Sequence, residues 1–199
     1  MPPSTAAMIF GLFVVVALSA GRVFNTISLS LPKLVDERVG NGISLVQVGS
    51  LTTAVFLCGA AAQVTVGRLV ERFPLHILFA ISAIAQFAGL VWVTHSNGAA
   101  LVLAFTMAAI YGQITLNDLV IARYTADKWR GRVYAVRYFL TFVVSGAAVS
   151  MIALLYRLGG FDLVLSATAL IALGFLVAVL LIAFIANGVE KARQMQPAE

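Results

Sequence analysis

The sequence predicts an all-α integral membrane protein with six transmembrane helices. Three observations carry that prediction. Of 199 residues, 61% are hydrophobic and only 11% charged, where a soluble domain has about 25% charged residues. The apolar residues fall into six runs, each close to the roughly 20 residues that a helix rising about 1.5 Å per residue needs to cross a hydrocarbon core of about 30 Å. The runs also lack the alternating polarity of barrel strands, so their backbone amides, which find no water in lipid, must be satisfied within helices.

The expected spans are residues 8–32, 44–66, 75–93, 99–122, 133–156 and 162–187, making 1–188 one transmembrane bundle and 189–199 a cytoplasmic tail. The first span has no Lys or Arg before its apolar run and no small-residue cleavage pattern, so it reads as a membrane helix and not as a signal peptide. Gly40-Asn41-Gly42 closes it. Phe73-Pro74, Ser96-Asn97-Gly98 and Gly159-Gly160 supply the turns after the second, third and fifth spans. Connections this short make neighbouring helices antiparallel. The second and fifth spans carry small-residue stretches, Gly59-Ala60-Ala61-Ala62 and Ser145-Gly146-Ala147-Ala148, which let backbones approach closely. His76 and His95 stand at the two ends of the third span, and Trp92, Trp129 and Tyr124 read as interface anchors.

Orientation follows from Lys and Arg near span ends. Arg68, Arg72, Arg123, Lys128, Arg130, Arg132, Arg137, Lys191 and Arg193 fall on one side, against Lys33, Arg38 and Arg157 on the other. Nine against three puts both termini in the cytoplasm, with the chain in a plasma membrane of the bacterial inner-membrane type. The net charge of +5 is spread over short clusters without a single basic face, so nucleic acid is not an expected partner. With one cysteine, Cys58, and two distant histidines, no metal framework or cofactor is expected.

The informative residues are the polar ones that lipid should exclude. An Arg or Asp at mid-bilayer costs about 2.5 to 3.5 kcal/mol on insertion scales. In the first span Arg22, Asn25 and Thr26 share a face by helical spacing. In the fourth, Gln113 and Asn117 lie four apart on one face, with Asp118 rotated by about 100°. These five residues, Arg22, Asn25, Thr26, Gln113 and Asn117, are candidates to line a solute pathway, Arg22 being suited to an anionic group. Hydrogen bonding between helices as packing glue is the alternative for the amides and hydroxyls.

After the second span, Gly67-Arg68-Leu69-Val70-Glu71-Arg72 resembles the G-x-L-x-D-R loop of the major facilitator superfamily, with Glu71 in place of Asp. Arg130-Gly131-Arg132 resembles the R-G-R motif that follows the fourth helix of a half, and Leu31-Pro32 the LP at the end of its first helix. The resemblance implies one six-helix half of the usual twelve, built as a 3+3 inverted repeat. Phe73-Pro74-Leu75-His76 replaces the further basic residues of the loop motif, as in a carboxy-terminal half. It also implies a cytoplasmic gate of Gly67, Glu71, Arg72 and Asp118, and charge alone lets Arg72 or Arg137 pair with Asp118.

The expected function is therefore half of a secondary active transporter, moving a small-molecule solute by alternating access within the lipid bilayer. It needs a second six-helix half or a homodimer to rock against. An integral-membrane scaffold or assembly protein is the alternative. An enzyme is not expected: paired intramembrane carboxylates, H-E-x-x-H and Ser/His or Ser/Lys constellations are missing from the sequence.

Overall fold

The computed structural model describes the backbone of residues 3–39, 42, 44–96, 100–125 and 127–194, and within these helices the side chains of 3–10, 13, 124, 183 and 185–194 are left aside. The turn residues Gly40, Asn41, Asn97 and Gly98 and the tail after Gln194 lie outside the described residues. The described chain is all helix: α1 Pro3–Val39, α2 Leu45–Leu69, α3 Leu75–His95, α4 Ala100–Tyr124 and α5 Asp127–Gln194. Five helices are long and apolar enough to cross a membrane.

The span of α5 that qualifies, Asp127–Ile182, covers 56 residues. Straight, it would measure roughly 84 Å, far more than a bilayer core. It breaks where the fifth and sixth spans were expected to part. Gly159 and Gly160 leave helical geometry, and Gly160 has φ +63° and ψ −159°, a region essentially reserved for glycine. The two arms run in opposite directions along α1. Asn25 meets Ser145 and Glu37 meets Tyr156 on the first arm, whereas Arg38 meets Asp162 and Val16 shares a cluster with Phe175 and Val179 on the second.

Several helix ends differ from expectation, α5 running to Gln194 past the expected end at 187 and into the segment expected to be tail. Helix α1 does not stop at Pro32 but continues to Val39. Proline within a membrane helix is tolerated where neighbours re-satisfy the freed carbonyl, and the extension gains a Lys33–Glu37 pair one turn apart at 3.8 Å. The Arg130-Gly131-Arg132 segment is not a loop but the start of α5, where Asp127 pairs with Arg130 at 2.7 Å and Arg132 lies over the Trp129 ring. The start of α2 is a capping box: Ser44 and Gln47 exchange side-chain and backbone bonds of 3.4 and 2.8 Å, satisfying amides left open by the first turn.

Packing divides the interior into two apolar clusters. One holds Ile27, Leu31, Leu34, Leu90, Val102 and Phe161 at the end of the bundle where α1 and α3 finish, here called the upper end. The other holds Val16, Leu75, Phe79, Leu116, Phe175 and Val179 at the lower end, where α1 and α3 begin. Close approaches fix the neighbours. A Cβ on Gly59 of α2 would lie 2.9 Å from the Tyr111 ring of α4, and one on Gly89 of α3 would lie 2.8 Å from Thr106 Oγ1. Tyr111 also receives Phe24 and Phe56 edge-on, at 5.4 and 6.3 Å between centroids, joining α1, α2 and α4. Outside, Leu57, Val64, Phe139, Phe142 and Leu154 are exposed, an apolar surface fit for acyl chains and not for water.

Candidate membrane-embedded polar site

Arg22, Asn25 and Thr26 follow the spacing expected of them, and two of the three turn toward α5. Arg22 Nη2 donates to Met151 Sδ at 2.7 Å, and its Nε is buried without a partner. Asn25 donates from Nδ2 to the Gly21 carbonyl at 2.8 Å and accepts at Oδ1 from Ser145 Oγ at 3.0 Å. Thr26 is fully buried and its Oγ1 has no partner. An apolar helix that must present an amide to lipid or protein finds the cheaper environment against Ser145, since an unbonded buried amide costs about 1 to 3 kcal/mol.

On α4, Gln113 and Asn117 lie one turn apart and are buried, at 1% and 4% exposure. Neither Gln113 Oε1 nor Nε2 has a partner, and Asn117 Oδ1 has none. Among the described hydrogen bonds, none joins this pair to Arg22 or Asn25. Arg22 and Asn25 are thus engaged with α5, Gln113 and Asn117 are buried on α4 with hydrogen-bonding capacity unspent, and Thr26 on α1 is buried and likewise unpartnered.

A fourth amide was not anticipated from the sequence. Gln86 of α3 is 1% exposed and its Nε2 lacks a partner. Arg22 lies between Val16 of the lower cluster and Val23 of the upper, Gln86 between Ala83 and Leu90, and Gln113 between Ile110 and Leu116. On three helices, then, a polar side chain stands where the two apolar clusters meet. The signal was present: Gln86 is the one amide of the third span, as Gln113 and Asn117 are the amides of the fourth.

At the lower end, Arg137 of α5 forms an ion pair with Asp118 of α4. Tyr134, one turn earlier on the same face, donates from its hydroxyl to the Asp118 carbonyl at 2.8 Å. Of the two cations able to reach Asp118, Arg137 takes the position. The α2–α3 connection is held by backbone bonds from Arg72 and Phe73 to the Leu69 carbonyl at 3.0 and 2.9 Å. Glu71 and Arg72 point outward there, with no ion pair among the described residues, and a side chain on Gly67 would meet open space. The structure therefore brings together Asp118 and Arg137 but leaves Gly67, Glu71 and Arg72 apart from them.

At the upper end Arg38 pairs with Asp162 and donates from Nη1 to the Ser96 carbonyl at 3.3 Å, tying the ends of α1 and α3 to the second arm of α5. Tyr156 donates its hydroxyl to Glu37, and Lys33 Nζ lies 3.8 Å from the centre of the Tyr156 ring. Both ends of the bundle are thus fastened by charge, with amides between them. Chemically, such an interior offers donors and acceptors to water or to a small polar solute, and one guanidinium to an anion. No family model, curated protein or solved structure matches the chain.

Proposed function

We propose that the chain is one six-helix half of a secondary active transporter for a small polar solute, of the major facilitator type, with the lower end in the cytoplasm. In this reading each arm of α5 is a separate membrane crossing. The observation that carries the proposal is the set of unsatisfied buried groups on α1 and α4: Thr26 Oγ1, both polar atoms of Gln113, and Asn117 Oδ1. Buried polar atoms are normally paired, and a site that holds several in reserve suits an occupant that brings the missing partners, water or solute.

The packing supports an inverted repeat of three helices. Exchanging α1 with α4, α2 with the first arm of α5, and α3 with the second arm maps the close pair α1–first arm onto α4–α2. It also maps α3–α4 onto second arm–α1 and returns α3–second arm, the Phe79–Phe175 contact, to itself. Repeats of this kind place solute sites on equivalent helices near the midplane. The basic residues Arg68, Arg72, Arg130 and Arg132 cluster by sequence at the lower end, which supports a cytoplasmic lower face. Alternating access requires a second bundle, a homologous half or a second copy, as partner.

The bonds from Arg22 to Met151 and from Ser145 to Asn25 favour a second reading, a membrane scaffold whose polar groups only hold helices together. Vesicles holding the reconstituted assembly and offered a pool of labelled small carboxylates and phosphates separate the two. Under the transport reading, Arg22→Ala cuts uptake at least tenfold while the assembly elutes unchanged. Unchanged or absent uptake with a dispersed assembly favours the scaffold.

A further inference from the structure

A groove of about 470 Å³ opens between α1 and the first arm of α5 at the upper end. Its lining is graded. Leu29, Val149 and Ile152 are apolar, while Lys33 and Arg157 bring positive charge. Ser30 also lines it, at 5% exposure, and its Oγ has no hydrogen-bond partner. Ser30 lies three positions before Lys33, so its Cα is about 4.5 Å deeper along the helix axis.

The charges do not cancel. Lys33 shares Glu37 at 3.8 Å, Arg38 is taken by Asp162, and Arg157 is exposed with no ion pair among the described residues. No acidic residue is among those lining the groove, so Lys33 and Arg157 give its lining a positive charge. Lys33 and Arg157 are also two of only three Lys and Arg residues that the span order puts on this side, where the topology bias disfavours them.

We propose that the groove holds one anionic phospholipid. Its phosphodiester, with one negative charge, sits between Lys33 and Arg157, the two cations of the lining. Ser30 Oγ donates to an ester carbonyl one turn deeper, and an acyl chain lies along Leu29, Val149 and Ile152. A guanidinium and an ammonium recognise phosphate well, and interfacial basic pockets between membrane helices are suited to lipid headgroups. A soluble anion would leave the apolar wall facing water. The inference does not depend on transport.

The test is native mass spectrometry of the full-length protein carrying phosphatidylglycerol or phosphatidylcholine, with fold integrity followed by elution volume. The expected result is one phosphatidylglycerol retained at least tenfold more tightly than phosphatidylcholine. Lys33→Gln/Arg157→Gln loses that lipid, and Arg68→Gln/Arg72→Gln, at the opposite end, keeps it. Ala153→Trp, which fills the groove from an exposed lining position without altering charge, also loses it, and Ser30→Ala weakens it several-fold. The proposal is overturned if the lipid survives the Lys33/Arg157 or Ala153 changes, or if wild type shows no preference for the anionic lipid. It is equally overturned if millimolar inorganic phosphate displaces phosphatidylglycerol, because the ligand is then a soluble anion.

Discussion

Asp118 of α4 and Arg137 of α5 form an ion pair at the lower end of the bundle, with the Arg137 side chain 11% exposed and that of Asp118 37%. Tyr134 adds a bond to the Asp118 backbone from the same face of α5. Helices α4 and α5 otherwise share few contacts, so this pair is the main link between them at that end. Removing one charge leaves the other unpaired, which costs about 1 to 2 kcal/mol for this partly exposed pair, between the values for surface and for fully buried ones. Asp118→Asn and Arg137→Gln should each lower thermal stability in detergent by about that much. The Asp118→Asn/Arg137→Gln double variant should lose little more than the worse single change, because no unpaired charge remains. Strict additivity of the two single losses in the double variant would show that the residues act independently.

Gly59 and Gly89 are places where two helices touch without room for a side chain. A Cβ at Gly89 would also meet the Thr106 backbone at 3.2 Å, which cannot rotate away. Gly89→Val should therefore cost about 1 to 3 kcal/mol through overpacking, more than Gly59→Ala, whose obstacle is the Tyr111 ring. Gly67→Ala, with open space around it, serves as the neutral comparison. Chemical unfolding followed by tryptophan fluorescence ranks the three.

The hinge at Gly160 should be the least replaceable turn residue. Its φ of +63° with ψ −159° is strained for any residue with a Cβ, by about 1 to 3 kcal/mol. Gly160→Ala is expected to lower stability by that amount. Gly146→Ala, within a regular exposed helix with nothing near its Cβ, should be neutral or raise stability by about 0.5 to 1 kcal/mol through helix propensity. Equal effects at the two positions would contradict the backbone argument.

Gln86 supplies a different contrast. If its amide merely sits unsatisfied, Gln86→Leu removes a penalty of about 1 to 3 kcal/mol and raises stability. If water or solute bonds to it, the substitution leaves stability nearly unchanged and reduces uptake in the reconstituted assembly. The second result is expected.

Much of the architecture was legible because lipid imposes a severe rule on sequence: apolar runs near 20 residues must be helices. The Gly159-Gly160 break and the polar faces at Arg22, Asn25, Gln113 and Asn117 follow from it. Local rules stopped short where tertiary packing decides. Pro32 did not end α1, because neighbouring helices support the continuation. Arg130-Gly131-Arg132 became helical, because Asp127 and Trp129 engage its side chains. Charge spacing alone left Arg72 and Arg137 equally able to reach Asp118, and only the placement of α5 against α4 selects Arg137. The upper clamp of Arg38, Asp162 and Ser96 joins residues too distant in sequence for any local pattern to reveal.

The central claim is that the buried amides of α4 border a space reached by water. Gln113→Cys, in a Cys58→Ser background, tests it most directly, by reaction with a membrane-impermeant thiol reagent in vesicles carrying the full assembly. Labelling is expected from at least one side, at a rate within about a hundredfold of an exposed Ser44→Cys control. A thiol at residue 113 that stays unreactive from both sides, in an assembly that is folded and labelled at residue 44, would contradict it.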